Sequence, residues 1–425
     1  MLLSAAGAKL APVLFAMIVI GAVVFVFVSA NRKMKALKEA SRKREMDFFA
    51  ANAAALVGQM KENDICGNET SAYDIGEQSS YEIGSQEITT VKMPIKKDSE
   101  EYKKLIKGNE KIVVLDGKVL NPGDLSWDGF KRFGELTVYD RTPQELVLER
   151  MQDATLVITN KAVITREIMQ QCPKLKYIGV IATGYNVVDV KAAAELNVTV
   201  TNVPGYGTDA VAQFTFALML EMCNQVGMHN KSVLDGEWCR HPDFSYWLAP
   251  LNDVCGKKLG IVGFGSIGSK VAEIALAFGM EVFVYSRTRK NTDLGVKWVT
   301  FDELLAKADI ITLHCPLTAD NEKLINEESI SKMKNGVRLI NTARGGLVDE
   351  TALVDALNSG KLAGAALDVI SAEPMANDSP LLSAKNIIIT PHIAWASHEA
   401  RERLMGIAIR NMEQFLLDNP ENVVS

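Results

Sequence analysis

The stretch Val262-Gly263-Phe264-Gly265-Ser266-Ile267-Gly268 constrains this chain more than any other. It joins an apolar run of strand character at 258–262 to a run of helical spacing at 266–278, and Met280-Glu281-Val282-Phe283-Val284-Tyr285 follows as the next strand. In such a strand–turn–helix the three glycines have separate tasks. Gly263 permits the tight turn, Gly265 lets backbone N–H groups approach a pyrophosphate, and Gly268 lets helix and strand pack closely. Ser266 and Ile267 open the helix, whose unpaired N–H groups face the anion. A GxGxxG alone is a weak signal; the βαβ unit around it gives it weight.

The end of the second strand bears on the choice of cofactor. In NAD-binding units an acidic residue roughly 20 residues beyond the glycines accepts hydrogen bonds from the ribose 2′-hydroxyl. Here the strand runs into Ser286-Arg287-Thr288-Arg289-Lys290, with three cations and no carboxylate. A guanidinium holds a 2′-phosphate through paired charge-assisted bonds, whereas a carboxylate repels it. Ser286 and Arg287 are therefore expected at the cofactor, with NADP preferred over NAD. The competing reading is a solvated basic loop, with NAD held through its pyrophosphate alone.

A chain of 425 residues has room for two ordinary domains and an extension. A net charge of −6 gives no sign of general nucleic-acid binding. The cysteines at 66, 172, 223, 239, 255 and 315 form no CxxC pair and no metal-ligand spacing, so reduced thiols and no metal site are expected. From Leu10 to Val28 only Pro12 and Gly21 interrupt an apolar run, and residues 10–29 match the length of a membrane-spanning helix. Arg32, Lys33, Lys35, Lys38, Arg42, Lys43 and Arg44 follow, against a lone Lys9 before the run, which sets the bulk of the chain on the cytoplasmic side. A cleaved signal ending near Val28-Ser29-Ala30 is the alternative, and a buried helix a further one. Residues 31–108 read as a stalk, with Tyr73-Asp74-Ile75-Gly76-Glu77-Gln78 echoed by Tyr81-Glu82-Ile83-Gly84-Ser85-Gln86 in a flexible linker.

Beyond 110, short apolar runs alternate with helix-like segments: strands at 112–115, 136–139, 156–158 and 177–181, and again at 310–313, 338–341, 365–368 and 387–389. Alternation of this kind predicts α/β architecture, with two doubly wound, Rossmann-like parallel-sheet domains and a cleft between them. The expected parsing is 1–30 for tail and membrane anchor, 31–108 for the stalk, 109–207 for a substrate-binding domain completed by 393–425, and 208–392 for the dinucleotide-binding domain.

Polar motifs fall where strands of the second sheet end: Asn341-Thr342-Ala343-Arg344-Gly345-Gly346, Glu373-Pro374 and Pro391-His392-Ile393-Ala394-Trp395. Together with Ala182-Thr183-Gly184-Tyr185-Asn186, Gly207-Thr208-Asp209, the glycine turn, His314-Cys315-Pro316-Leu317-Thr318 and Leu367-Asp368-Val369, in that order, the chain resembles the D-isomer-specific 2-hydroxyacid dehydrogenases. Within them it resembles the glycerate dehydrogenase/hydroxypyruvate reductase branch, over about residues 111–420. Reducing a 2-oxo acid takes a hydride from a nicotinamide and a proton for the developing alkoxide, and histidine is the natural donor near neutrality.

The resemblance implies that His392 is the acid/base and Glu373 its partner, orienting the imidazole and stabilising its charged form. It implies that Arg344 clamps the substrate carboxylate and polarises the carbonyl, helped by backbone N–H groups near Thr183 and Gly184. Asp368 would bond the nicotinamide carboxamide, with a turn or cap role as its alternative. Thr208, His314, Pro316, Thr342 and Ala343 would line the cofactor, although Thr208 could equally cap a helix. Trp395 would bound a small pocket or stand in an interface. Hydroxypyruvate or glyoxylate is the expected substrate, reduced to D-glycerate or glycolate, and a homodimer through the cofactor domain is expected by the same likeness. Only a short tail follows His392, which argues against an appended regulatory domain, and Glu373 argues against a formate dehydrogenase. The alternative from another class is a membrane-tethered, cofactor-sensing scaffold resembling the C-terminal binding protein corepressors.

Overall fold

The computed structural model describes residues 108–425, so the expected membrane span at 10–29 and nearly all of the stalk lie outside the described residues. Among the described residues no helix is long and apolar enough to cross a membrane.

Two parallel sheets organise these residues. The first holds β1 (Glu110–Val114), β2 (Gly134–Val138), β3 (Leu156–Thr159), β4 (Tyr177–Val180) and β5 (Thr199–Thr201), in the order β2-β1-β3-β4-β5. The second holds β6 (Lys258–Val262), β7 (Glu281–Tyr285), β8 (Lys297–Trp298), β9 (Ile310–Leu313), β10 (Val337–Asn341), β11 (Leu362–Leu367) and β12 (Ile387–Ile389), in the order β12-β11-β10-β9-β6-β7-β8. Its winding reverses between β6 and β9. That switch point opens a crevice at the carboxyl ends of the strands.

Helices cover both faces, which is why β3, β4 and β9 are buried along their whole length and read as continuous apolar runs. One face of the second sheet packs Leu259, Ile261 and Ile340 against Val271, Ala272 and Ala275 of the glycine-turn helix (Ser266–Ala277) and Phe216 and Met219 of the crossing helix (Thr208–Asn224). The other face packs Ile311 and Leu339 against Leu304, Leu353 and Leu357.

The chain passes between the lobes twice, at Gly205-Tyr206-Gly207 and again after His392. After the second passage the terminal helix (His398–Leu416) starts at Ser397, whose hydroxyl accepts from Ala400 N at 3.2 Å. It buries Ala400, Leu404, Ala408 and Met412 with Ile112, Val114 and Ile158 of the first sheet. Arg401 fixes it further through a two-pronged contact with Asp124, Nη1–Oδ1 2.7 Å and Nη2–Oδ2 2.6 Å, and this guanidinium draws the Asp124 carboxyl down to about 2. Val424 N then donates to Val200 O, returning the C-terminal segment to β5.

Several elements differ from the sequence reading. The crossing helix, expected from Asp209 to about Val226 with Asp209 as its cap or a first-turn residue, begins one residue earlier at Thr208, with Gly207 as its cap and Asp209 in its first turn, and ends at Gln225 in the left-handed region. β5 and β8 were not anticipated; at three and two residues they are too short for any periodicity. Nor was the arm that follows the crossing helix, made of the helices Val226–Leu234 and Glu237–Arg240 and a loop to Leu251.

Candidate active site

The glycine turn has the geometry its residues call for. Gly263 sits at φ +96°, and a methyl there would lie 2.7 Å from Cys315 N and 2.8 Å from the His314 carbonyl carbon. A methyl on Gly268 would fall 2.1 Å from Gly263 O, so strand and helix touch backbone to backbone. Gly265 is different: nothing stands within 4 Å of where its Cβ would be. The open position directly precedes the helix that starts at Ser266. Open space at the first turn of a helix, over a floor of bare backbone, fits a pyrophosphate.

Around this cradle the remaining cofactor candidates take up distinct places. Ser286 is half-buried and Arg287 exposed at the end of β7. Burial pushes the Cys315 thiol up, and the Arg287 charge offsets part of that. Arg289 is held over the Trp298 ring at 5.4 Å. His314 follows β9, its backbone N–H bonded to Val262 O and its Nε2 2.9 Å from Thr312 Oγ1. Its Nδ1 is buried and has no hydrogen-bond partner in the described structure. Burial lowers the imidazole to about 3, so it is neutral in the physiological range. A buried, unpaired ring nitrogen costs about 1–3 kcal/mol, and this one adjoins the cradle.

Other candidates are engaged within the fold. Pro316 O accepts from Asn321 Nδ2 at 2.8 Å, Ala343 N donates to Asn341 Oδ1 at 3.0 Å, and the Thr342 hydroxyl meets that of Thr215 at 3.2 Å. The Thr208 hydroxyl bonds Gly205 O at 3.2 Å, within the turn that enters the crossing helix.

The imidazole–carboxylate pair lies at the carboxyl edge of the same sheet. His392 Nδ1 is 2.7 Å from Glu373 Oε2, and the two side chains are 33% and 35% exposed, open to a small molecule yet partly screened. His392 has φ +55°, a left-handed conformation that costs a non-glycine residue about 1–2 kcal/mol. The end of β11 enforces it. His392 N donates to Asp368 O, while the buried Asp368 carboxylate accepts from Thr390 Oγ1 (2.6 Å), Ile393 N (2.9 Å) and Ala394 N (2.8 Å). Trp395 Nε1 adds a bond to His392 O at 3.0 Å. The side chain expected at the carboxamide thus grips the histidine loop with both oxygens, Oδ2 keeping further acceptor capacity.

Arg344 follows β10, exposed, with Nη1 on Ala343 O at 2.7 Å and its own carbonyl held by Asn341 Nδ2 at 2.9 Å. Two contacts tie it to the rest of the site. A methyl on Gly184 would stand 3.4 Å from Arg344 Nη2, so the guanidinium reaches the Thr183–Gly184 turn of the other lobe. The next residue, Gly345, is packed so tightly that a methyl would lie 1.9 Å from the Ile370 carbonyl, and Ile370 N bonds Glu373 Oε1 at 3.2 Å. Arginine turn, Glu373 and His392 are therefore contiguous.

Sequence reading missed Tyr206. Its phenol is buried, which raises it to about 12, and it lies within electrostatic reach of Arg344. Its ring meets Trp395 edge-on at 6.1 Å. A tyrosine in Pro-Gly-Tyr-Gly reads as a turn residue; only the second crossing of the chain brings Trp395 against it.

A dinucleotide cradle and an imidazole–carboxylate pair on one sheet edge define a pyridine-nucleotide-dependent oxidoreductase. Residues 216–394 match the family model described as D-isomer specific 2-hydroxyacid dehydrogenase, NAD binding domain. A hydroxypyruvate reductase of Blautia hydrogenotrophica is 51% identical, over 74% of this chain and 99% of that protein. A glycerate dehydrogenase of Methylorubrum extorquens is 38% identical, over 74% of this chain and 99% of that one. Among solved structures, an NADPH-dependent glyoxylate/hydroxypyruvate reductase from Sinorhizobium meliloti superposes with a TM-score of 0.65 at 28% identity, covering 75% of this chain and 98% of that one. The chain belongs to the D-isomer specific 2-hydroxyacid dehydrogenase family. The scaffold alternative has no support among these relatives, which carry enzyme names.

Proposed function

We propose that the protein reduces a short 2-oxo acid, hydroxypyruvate or glyoxylate, to D-glycerate or glycolate at the expense of NADPH or NADH. The observation that carries this reading is the His392–Glu373 contact of 2.7 Å, contiguous with Arg344 on the sheet edge that bears the dinucleotide cradle. The names of the relatives at 51% and 38% identity support the substrate class.

In this reading residues 208–392 bind the cofactor, and 109–207 with 393–425 the substrate. The cofactor, resting on Gly263, Gly265 and Gly268 with Thr208, Ser266, Ile267, His314, Pro316, Thr342, Ala343 and Asp368 along its length, supplies the hydride when bound. Ser286 and Arg287 meet a 2′-phosphate, which favours NADP. Arg344 forks onto the substrate carboxylate, the Thr183–Gly184 backbone donates to it, and the neutral Tyr206 phenol adds a donor from the opposite wall. With Nδ1 given to Glu373, Nε2 of His392 is left to pass its proton to the carbonyl oxygen. Asp368 keeps the histidine loop in its left-handed bend, and Trp395 closes the pocket against anything bulky.

The test is steady-state kinetics on hydroxypyruvate, glyoxylate and pyruvate, each with NADPH and NADH. The highest kcat/KM is expected for hydroxypyruvate or glyoxylate with NADPH; failure to turn over any of the three acids refutes the reading.

The apolar run 10–29 and the cations after it anchor the chain in a membrane with the catalytic lobes on the cytoplasmic side; loss of the full chain from membranes on a carbonate wash would contradict this. The protein is also a homodimer, with the arm at 226–251 as the contact. That arm turns large apolar side chains outward, among them Phe244 at 92% exposure, Leu234 at 78% and Trp247 at 68%.

A further inference from the structure

The end of the second sheet remote from the glycine turn holds a cavity of about 210 Å3. It lies where β9 and β10 begin and beside the start of β6, and Cys223, near the end of the crossing helix, forms part of its wall. The glycine turn, His314 and Arg344 follow the other ends of these same strands, so the cavity is separate from the reaction cleft.

Three cations line it. Lys334 is already matched, its Nζ 2.7 Å from Asp309 Oδ1, while Asp309 Oδ2 accepts from Lys258 N at 2.8 Å. The side chains of Lys257 and Arg338 form no hydrogen bond or ion pair with another described residue. Both nevertheless line the cavity together with Cys223, and their charges offset part of the burial that pushes its thiol up. Neither side chain bonds a carbonyl at the end of the helix. Two of its closing carbonyls have other partners: Glu221 O accepts from Gln225 N at 2.8 Å and Cys223 O from Asn252 N at 3.0 Å. Asp309, held by Lys334, also feels the Lys257 charge, and the other acid in the lining is the exposed Asp253.

We propose that this cavity is a second anion site, in which the Arg338 guanidinium and the Lys257 ammonium hold a phosphate group. Two cations suit a dianion, and the planar guanidinium matches two of its oxygens. The volume leaves room for inorganic phosphate or for a small phosphomonoester. The inference stands independently of the catalytic reading.

Calorimetric titration of the full chain, saturated with NADPH so that phosphate does not occupy the dinucleotide cradle, tests it at constant ionic strength. Saturable binding of inorganic phosphate is expected. Lys257→Gln and Arg338→Gln should each weaken it about tenfold, the effect of losing one charge-assisted bond. Asp253→Asn should tighten it, and Arg344→Gln should leave it unchanged. Lys257 is exposed, so its variant stays informative even if Arg338→Gln fails to fold. Tighter binding of glycerol 2-phosphate than of phosphate would identify a phosphomonoester as the ligand, and equal binding the free ion. No saturable binding, affinity indifferent to both cations, or affinity lost in Arg344→Gln overturns the proposal.

Discussion

Gly265 and Gly268 are three residues apart in one motif, yet substitution should separate them. At Gly268 a methyl would collide with Gly263 O at 2.1 Å, whereas at Gly265 it meets open space, and the backbone there, φ −81° and ψ −163°, suits any residue. Gly268→Ala should therefore lower the melting temperature, by an overpacking cost of about 1–3 kcal/mol. Gly265→Ala should melt like wild type but bind NADPH more weakly, because its methyl occupies the cradle. Thermal melts and NADPH fluorescence titrations on both variants check this; equal cofactor affinity in Gly265→Ala would remove the pyrophosphate from that position. The tasks of these glycines were legible in the sequence because spacing and flanking elements prescribe them. The pairing of His392 with Glu373 was not legible from spacing, since no period joins residues on different loops; resemblance supplied it, and the 2.7 Å contact now gives it a geometry. Tyr206 escaped altogether, because its environment exists only once both interlobe crossings are in place.

At the scale of elements, strands of four or five buried residues were readable as apolar runs, and the crossing helix as a long apolar-rich segment. The arm was not, for a physical reason: among its helical residues only Ser232 is buried, so its apolar side chains follow no core-facing stripe. The terminal helix shows what binds one element to a lobe. Asp124 titrates near 2 in the fold against an ordinary 3.8. Its depressed value means that the contact with Arg401 stabilises fully above the unfolded value and is lost as pH falls toward the folded one. Asp124→Asn should accordingly lower the melting temperature at pH 7, with the gap to wild type closing between about pH 4 and pH 2. Melting curves across that range decide it; a gap that persists at pH 2 would mean the carboxylate charge is not what holds the helix.

For the whole molecule, two sheets meeting at a cleft could be anticipated from alternating strands and helices, while a homodimer was expected from the resemblance alone. An arm bearing Phe244, Trp247 and Leu234 in the open is a surface that water penalises. If the proposed dimer forms through this arm, Phe244→Asp with Trp247→Asp should shift its mass to that of the monomer in light scattering, with the fold intact by circular dichroism. An unchanged mass would place the contact elsewhere.

The account rests on His392 handing a proton to a 2-oxo acid bound by Arg344 beside a reduced nicotinamide. The most direct measurement is turnover of NADPH and hydroxypyruvate by His392→Ala, compared with wild type at saturating cofactor, with NADPH affinity measured in parallel. The account predicts a fall in kcat of about 10² to 10⁴ with cofactor affinity unchanged. A variant that turns over at the wild-type rate would contradict it.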